Sequence, residues 1–129
     1  MGITVTWDNA MNTVLRWEFN GWWSWYDFSV TQKQSNDMMA SVPHTVHAIS
    51  DMSNTRFIPP NALIEFGRAV KDVPENKGII VLVNCSFLLE TMAKTYMRIN
   101  QQEDIFIMTA RSMKDARDLL SQYPVKIVV

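Results

Sequence analysis

The chain is predicted to be a single α/β domain in which an N-terminal β-hairpin feeds a mixed, mainly parallel sheet with about four helices. Its length of 129 residues suits one domain, since domains usually contain about 100–200 residues. Apolar residues alternate near the N-terminus and later recur at helical spacing. Gly78–Val83 is apolar at both alternating positions, which is typical of a strand buried on both faces of a parallel sheet.

The first nineteen residues predict the β-hairpin. The residues expected on its buried side are spaced by two within each strand: Ile3, Val5, Trp7, Leu15, Trp17 and Phe19. This period is that of a strand with one buried face. The polar stretch from Asp8 to Asn12 predicts the connection between the two strands.

A helix and a strand follow the hairpin. Ser24, with Asp27 three residues on, resembles a helix N-cap, although the second position of a capping box is usually Glu or Gln. This helix is predicted to end near Met39. Val46–Met52 is then predicted to be a strand.

The clearest helix follows Pro59 and Pro60, because proline is well tolerated where a helix starts. Its apolar residues fall on one helical stripe: Ala62, Phe66, Ala69, Val70 and Val73. Gly78–Val83 forms the strand after it. Ser86 then caps a helix with an apolar face: Leu89, Met92, Ala93 and Tyr96.

The C-terminal part predicts one more strand and one more helix. Ile105–Thr109 is the strand, and Ser112 with Asp115 caps the helix. The inner face of this helix is predicted from the spacing of four residues: Met113, Ala116, Leu120 and Tyr123. Val125–Val129 fits either a short edge strand or a tail. The predicted order of elements is therefore ββαβαβαβα.

Composition excludes several classes of function. The net charge is −1 and the twelve Lys and Arg residues are scattered, whereas nucleic-acid binding needs a concentrated basic face. The longest apolar run, Ile79–Val83, is far shorter than the ~20 residues of a membrane-spanning helix. The single Cys85 cannot form an internal disulfide, which favours a cytoplasmic location.

Chemistry-bearing residues form no convincing catalytic, metal or cofactor site. His47 and Asp51 share one side of a predicted strand but lie about 13 Å apart at 3.3 Å per residue, and His44 precedes that strand, so no metal is predicted. Cys85 has no histidine nearby in sequence to act as its base. The four glycines form no cluster that could cradle a nucleotide. We therefore predict neither a catalytic residue nor a cofactor.

The candidate binding residues lie where ligands bind in open α/β sheets, beyond the carboxyl ends of the parallel strands. We call this edge the rim; it comprises residues 50–61, 84–87 and 109–112. The binding candidates are polar or exposed residues of these segments: Asp51, Ser53, Asn54, Arg56, Asn61, Ser86, Phe87 and Arg111. The helix start at Ser86, with Arg111 beside it, could hold a small anion. Alternatively, the Ser86 hydroxyl simply caps its helix.

Tryptophan is unusually frequent, with five residues in the chain. Trp22 and Trp23 are adjacent, so both cannot easily face inward and one is expected to be partly exposed. Because aromatic side chains anchor interfaces, these two residues are candidates for an interface. The alternative is that they cover the open end of the core.

Two segments resemble the STAS domain family of anti-sigma-factor antagonists. Asp51–Leu63, with the sequence DMSNTRFIPPNAL, is similar to the family's central motif, and Thr109–Leu119 is similar to its last strand-to-helix passage. The SpoIIAA-like branch is the most similar, and its members share features with the lipid-binding Sec14 fold. The resemblance implies a bacterial regulatory module.

The chain departs from the family at the switch position. In regulatory STAS domains, a serine at the start of the helix after the third strand is phosphorylated, and the added charge switches partner binding. Pro59 and Pro60 occupy this place, and proline has no hydroxyl to accept phosphate. Ser53 is the nearest serine, and in the family the matching serine belongs to the turn.

These observations favour a non-enzymatic module that binds a protein partner or itself, without the usual phosphoserine switch, through the rim and the helix after Pro60. The alternative is a carrier or sensor of a small apolar or lipid-like ligand. The Met-rich, Tyr-bearing helix between Ser86 and Ile99 favours this alternative, as does the resemblance to Sec14. An enzyme is the third hypothesis.

Overall fold

The computed structural model describes residues 2–101 and 104–127. Over these residues the chain forms five strands and four helices in the predicted order ββαβαβαβα. Their bounds are β1 Ile3–Trp7, β2 Val14–Gly21, α1 Trp25–Ala40, β3 Val46–Thr55, α2 Ala62–Lys71, β4 Lys77–Val83, α3 Phe87–Ile99, β5 Ile107–Ala110 and α4 Met113–Leu120. None of the described helices is both long and apolar enough to cross a membrane.

The strands form one mixed sheet, which confirms the predicted α/β class. β1 is antiparallel to β2, and every other neighbouring pair is parallel. The spatial order β1-β2-β3-β4-β5 is also the chain order. The order therefore never reverses, and this sheet lacks the crevice that a reversal creates in doubly wound folds.

The helices cover the two faces of the sheet unequally. Crossovers between parallel strands are right-handed, so successive crossovers in one direction place their helices on the same face. Phe28 of α1, Phe66 of α2 and Leu89 of α3 accordingly pack into one apolar cluster. Ala116 and Leu120 of α4 pack into a second cluster, on the opposite face.

Serine caps begin three of the helices, as predicted. The Ser24 hydroxyl accepts a hydrogen bond from the Asp27 amide at 3.1 Å, and the Asp27 carboxylate accepts one from the Ser24 amide at 2.9 Å. Aspartate therefore completes this capping box. Ser86 and Ser112 cap α3 and α4 in the same way, through their hydroxyls.

Several predicted boundaries are corrected. β3 continues three residues beyond its predicted end, to Thr55, because Asn54 and Thr55 still pair with β2. β5 begins at Ile107, two residues later than predicted. Tyr123 lies beyond the end of α4 and is 42% exposed, so it does not belong to the inner face of that helix.

The C-terminal segment is described only in part. Residues 125–127 form no strand. The remaining two residues of the predicted edge strand or tail lie outside the described residues.

Candidate functional site

The rim brings part of the predicted polar set together. The Asp51 carboxylate accepts hydrogen bonds from the Ser53 amide at 3.0 Å and from its hydroxyl at 2.6 Å. The Ser53 hydroxyl accepts a third bond from the Asn84 side chain at 3.1 Å. These bonds join the ends of β3 and β4. Because these groups use their hydrogen bonds on one another, the cluster serves to connect β3 with β4.

The other predicted rim residues do not join this cluster in the described part of the chain. Asn54, Arg56 and Arg111 are exposed, and Asn61 begins α2 in a left-handed conformation without a side-chain cap. The Ser86 hydroxyl accepts a hydrogen bond from the Leu89 amide at 3.2 Å. This geometry is that of a simple helix cap, so the hydroxyl occupies the place where an anion would bind.

Trp22 and Trp23 take opposite environments. Trp23 is 5% exposed, and its indole N–H donates to the Thr55 hydroxyl at 2.8 Å. Trp22 is 69% exposed and stacks on Phe57 with ring centroids 4.9 Å apart. Trp23 therefore belongs to the core, and only Trp22 offers surface to a partner.

Exposed apolar side chains are concentrated along the rim and in the residues next to it. They follow the carboxyl ends of the strands or belong to the first turns of the helices that start there: Trp22, Tyr26, Phe57, Leu63, Ile64, Phe87 and Leu88. We call these seven residues the rim apolar set. Of them, the sequence indicated only Trp22 and Phe87, since exposure of an apolar residue in a first helical turn depends on what packs against it.

His47 has a structural role. Its Nδ1 lies 2.9 Å from the Ile79 amide nitrogen, which donates to it, and its Nε2 lies 3.0 Å from the Tyr123 carbonyl oxygen. The Nε2 of His44 lies 2.8 Å from the Asn12 carbonyl oxygen. Both rings thus have protein partners, and the described residues contain no cluster of metal-ligating side chains.

A β-bulge lies beside His47. Val46 pairs with Lys77 and Ala48 pairs with Ile80, so β4 contains one extra residue opposite β3. Gly78 is required here, because a Cβ atom at this position would collide with Nδ1 of His47. Since paired residues of neighbouring strands face the same side, the bulge places both Lys77 and Ile80 on the face covered by α1, α2 and α3.

That face contains an apolar cavity of about 150 Å³, which lies between the sheet and α1, α2 and α3 and is partly open to solvent. Its floor is formed by alternate residues of the two central strands: Ala48, Ser50, Met52, Ile80 and Leu82. Its roof includes residues from the apolar stripes predicted for α2 and α3: Phe66, Val70, Met92, Ala93 and Tyr96. The predicted stripes are therefore correct except for Val73, which lies beyond the end of α2, and they line a cavity.

The helices leave this face of the sheet incompletely covered. Ile80 and Leu82 are only half-buried, although β4 has a strand on each side. On the opposite face of the same strand, Val81 and Val83 are 0% and 1% exposed. The incomplete cover is also seen in the helices, because α2 and α3 each contain a single buried residue, Ala62 and Leu89.

Few polar groups line the cavity. The Gln32 amide donates to the Ala69 and Asp72 carbonyl oxygens and is therefore occupied. Ser50 lies on the floor, and its hydroxyl makes no hydrogen bond within residues 2–101 and 104–127. Lys77 lies at one end and likewise has no ion-pair partner there. These two groups are available to a ligand.

Cys85 is half-buried between β4 and α3. Burial raises the pKa of its thiol, and the negative charge of Glu90 raises it further. A raised pKa leaves the thiol protonated near neutral pH, which is the opposite of what a nucleophilic cysteine requires.

The chain matches no model of a protein family, and no curated protein matches it in sequence.

Proposed function

We propose that the protein binds a small apolar ligand in the cavity between the sheet and α1, α2 and α3. The observation that carries this proposal is the half-buried floor of the cavity, where Ile80 and Leu82 remain accessible in a central strand. Covering such residues with a ligand is favourable by roughly 25 cal/mol for each Å² of apolar surface removed from water.

The dimensions of the cavity indicate the size of the ligand. A cavity of about 150 Å³ equals the volume of an engineered protein cavity that holds one benzene molecule (about 150 Å³). A short alkyl chain or a single ring would fill this space. The apolar lining favours a ligand with few polar atoms, since burying an unpaired polar group costs free energy.

The proposed role is binding without catalysis, in a cytoplasmic domain of the STAS and Sec14-like type. Two features of the cavity support it. Its unpartnered polar groups are the Ser50 hydroxyl and the Lys77 ammonium group, which lie on different strands. Among the described residues, neither group is paired with another side chain of a kind used in catalysis. The cavity is also built on a sheet that rigidly positions its floor.

The experiment uses 1-octanol as a neutral apolar probe, titrated into the 129-residue chain while backbone amide shifts are followed. Resonances of β3, β4 and α3 are expected to move together and to saturate. The variant Ala93→Leu adds bulk to the roof and is expected to lower the affinity about tenfold. Thr91→Leu is the matched control, because Thr91 is exposed on the same helix and lines no part of the cavity.

Two results would contradict the proposal. One is the absence of shifts up to the solubility limit of 1-octanol. The other is an affinity that Ala93→Leu and Thr91→Leu change equally, since binding would then not depend on the space under α3.

A second candidate function is binding of a protein partner or of a second copy at the rim. The rim apolar set favours it, because exposed apolar side chains gathered at one edge are typical of interaction surfaces. Within this set, the rings of Trp22 and Phe57 stack on each other.

A further inference from the structure

We propose, on the basis of the ligand-binding function above, that the natural ligand is a medium-chain monocarboxylate whose carboxylate binds Lys77. The carrying observation is that the bulge in β4 places Lys77 at the end of an otherwise apolar cavity. In a regularly alternating strand, Lys77 would share the face of Ile79 and Val81, away from the cavity.

The surroundings of Lys77 leave its ammonium group available to a ligand. It is half-buried and its side chain lines the cavity, so its methylene stem can pack on the apolar wall while its ammonium group reaches water. No carboxylate of the described residues pairs with it. Most exposed lysines of the helices, by contrast, have such partners, as Lys33 has Asp37 and Lys94 has Glu90.

The cavity has a polar end and an apolar body. Its floor runs along β3 from Val46, which pairs with Lys77, to Met52. Six residues of strand span about 20 Å at 3.3 Å per residue. An extended alkyl chain can therefore lie along the strands with its far end distant from Lys77.

The charged end is accessible to solvent, since Lys77 itself is only half-buried. A ligand that enters with its chain first would leave its head group beside Lys77 and partly hydrated. A carboxylate loses little hydration in this position and gains a charge-assisted hydrogen bond.

The test compares head groups at constant chain length, by titrating octanoate, 1-octanol and octylammonium into the 129-residue chain. Octanoate is expected to bind about tenfold more tightly than 1-octanol, the size of effect of one charge-assisted hydrogen bond. Octylammonium is expected to bind more weakly than 1-octanol because of like-charge repulsion.

Two variants test whether Lys77 causes the preference for octanoate over 1-octanol. Lys77→Met keeps the stem and removes the charge, and it is expected to make octanoate and 1-octanol bind equally while leaving the affinity for 1-octanol unchanged. Lys33→Met is the matched control, because Lys33 is an exposed lysine outside the cavity, and it is expected to keep the tenfold preference.

The outcomes separate this inference from the proposed function. If 1-octanol and octanoate bind equally to the unmodified chain, or if Lys77→Met keeps the preference, the head-group assignment is overturned and the apolar site stands. If neither molecule binds, both the inference and the proposed function fail.

Discussion

Replacement of His47 by leucine is expected to destabilise the fold, because His47 forms hydrogen bonds beside the bulge in β4. Because Nδ1 of His47 accepts a hydrogen bond from the Ile79 amide, the neutral ring carries its proton on Nε2 and donates it to the Tyr123 carbonyl oxygen. Leucine has a similar volume and neither hydrogen-bonding group. His47→Leu therefore removes both bonds while leaving little empty space.

The expected loss of stability depends on how exposed the Ile79 amide and the Tyr123 carbonyl oxygen are, since these two groups lose their hydrogen-bond partner. His47 and Ile79 are 6% and 7% exposed, so the Ile79 amide becomes a buried unsatisfied donor, at a cost of about 1–3 kcal/mol. Tyr123 is 42% exposed, so its carbonyl oxygen can bind water at little cost. The free energy of unfolding is expected to fall by about 2 kcal/mol.

Urea unfolding at equilibrium measures this change. His44→Leu is the control, because it removes a single hydrogen bond to the Asn12 carbonyl oxygen at a half-buried turn and should cost about 1 kcal/mol or less. Amide hydrogen exchange at Ile79 should accelerate only in His47→Leu. Equal stability of the two variants, with unchanged exchange at Ile79, would refute the assigned role of His47.

The remaining predictions concern the rim and Cys85. Trp22→Ser should lower the free energy of unfolding by about 1 kcal/mol or less, because Trp22 is 69% exposed. Any self-association measured by sedimentation should nevertheless weaken by about 2 kcal/mol; unchanged self-association would remove Trp22 from the interface. Because burial and then Glu90 raise the pKa of Cys85, its thiolate forms only at higher pH than in a free cysteine. Iodoacetamide should therefore alkylate Cys85 more slowly than free cysteine at pH 8, and more rapidly after Glu90→Gln; equal rates in all three would show that the thiol is not perturbed.

Features set by neighbouring residues were predicted from the sequence with success. The hairpin, the three serine caps and the order of elements depend on spacings within a few residues, such as Ser24 to Asp27. Such patterns act through the backbone of one segment. The STAS resemblance and the functional alternatives remain predictions.

Features set by contacts between distant segments were not predicted. The apolar stripe of α2 indicates a face that leaves water, but it does not indicate whether a side chain or a cavity lies opposite. The orientation of Lys77 depends on one extra residue opposite His47, and alternation within β4 alone gives the wrong face. Gly78 can be related to this bulge only once the ring of His47 is known to lie beside it.

The division of the apolar interior by the sheet affects how the protein can change over evolution. The well-packed cluster under α4, with Ile49 and Val81 fully buried, is separated by the backbone of the sheet from the cavity. Substitutions on the two sides share no side-chain partners, so their effects on stability should be nearly additive. One face can thus supply the stability of the domain while residues of the other vary in size and polarity. Such an arrangement would let related chains acquire different ligands on one unchanged scaffold.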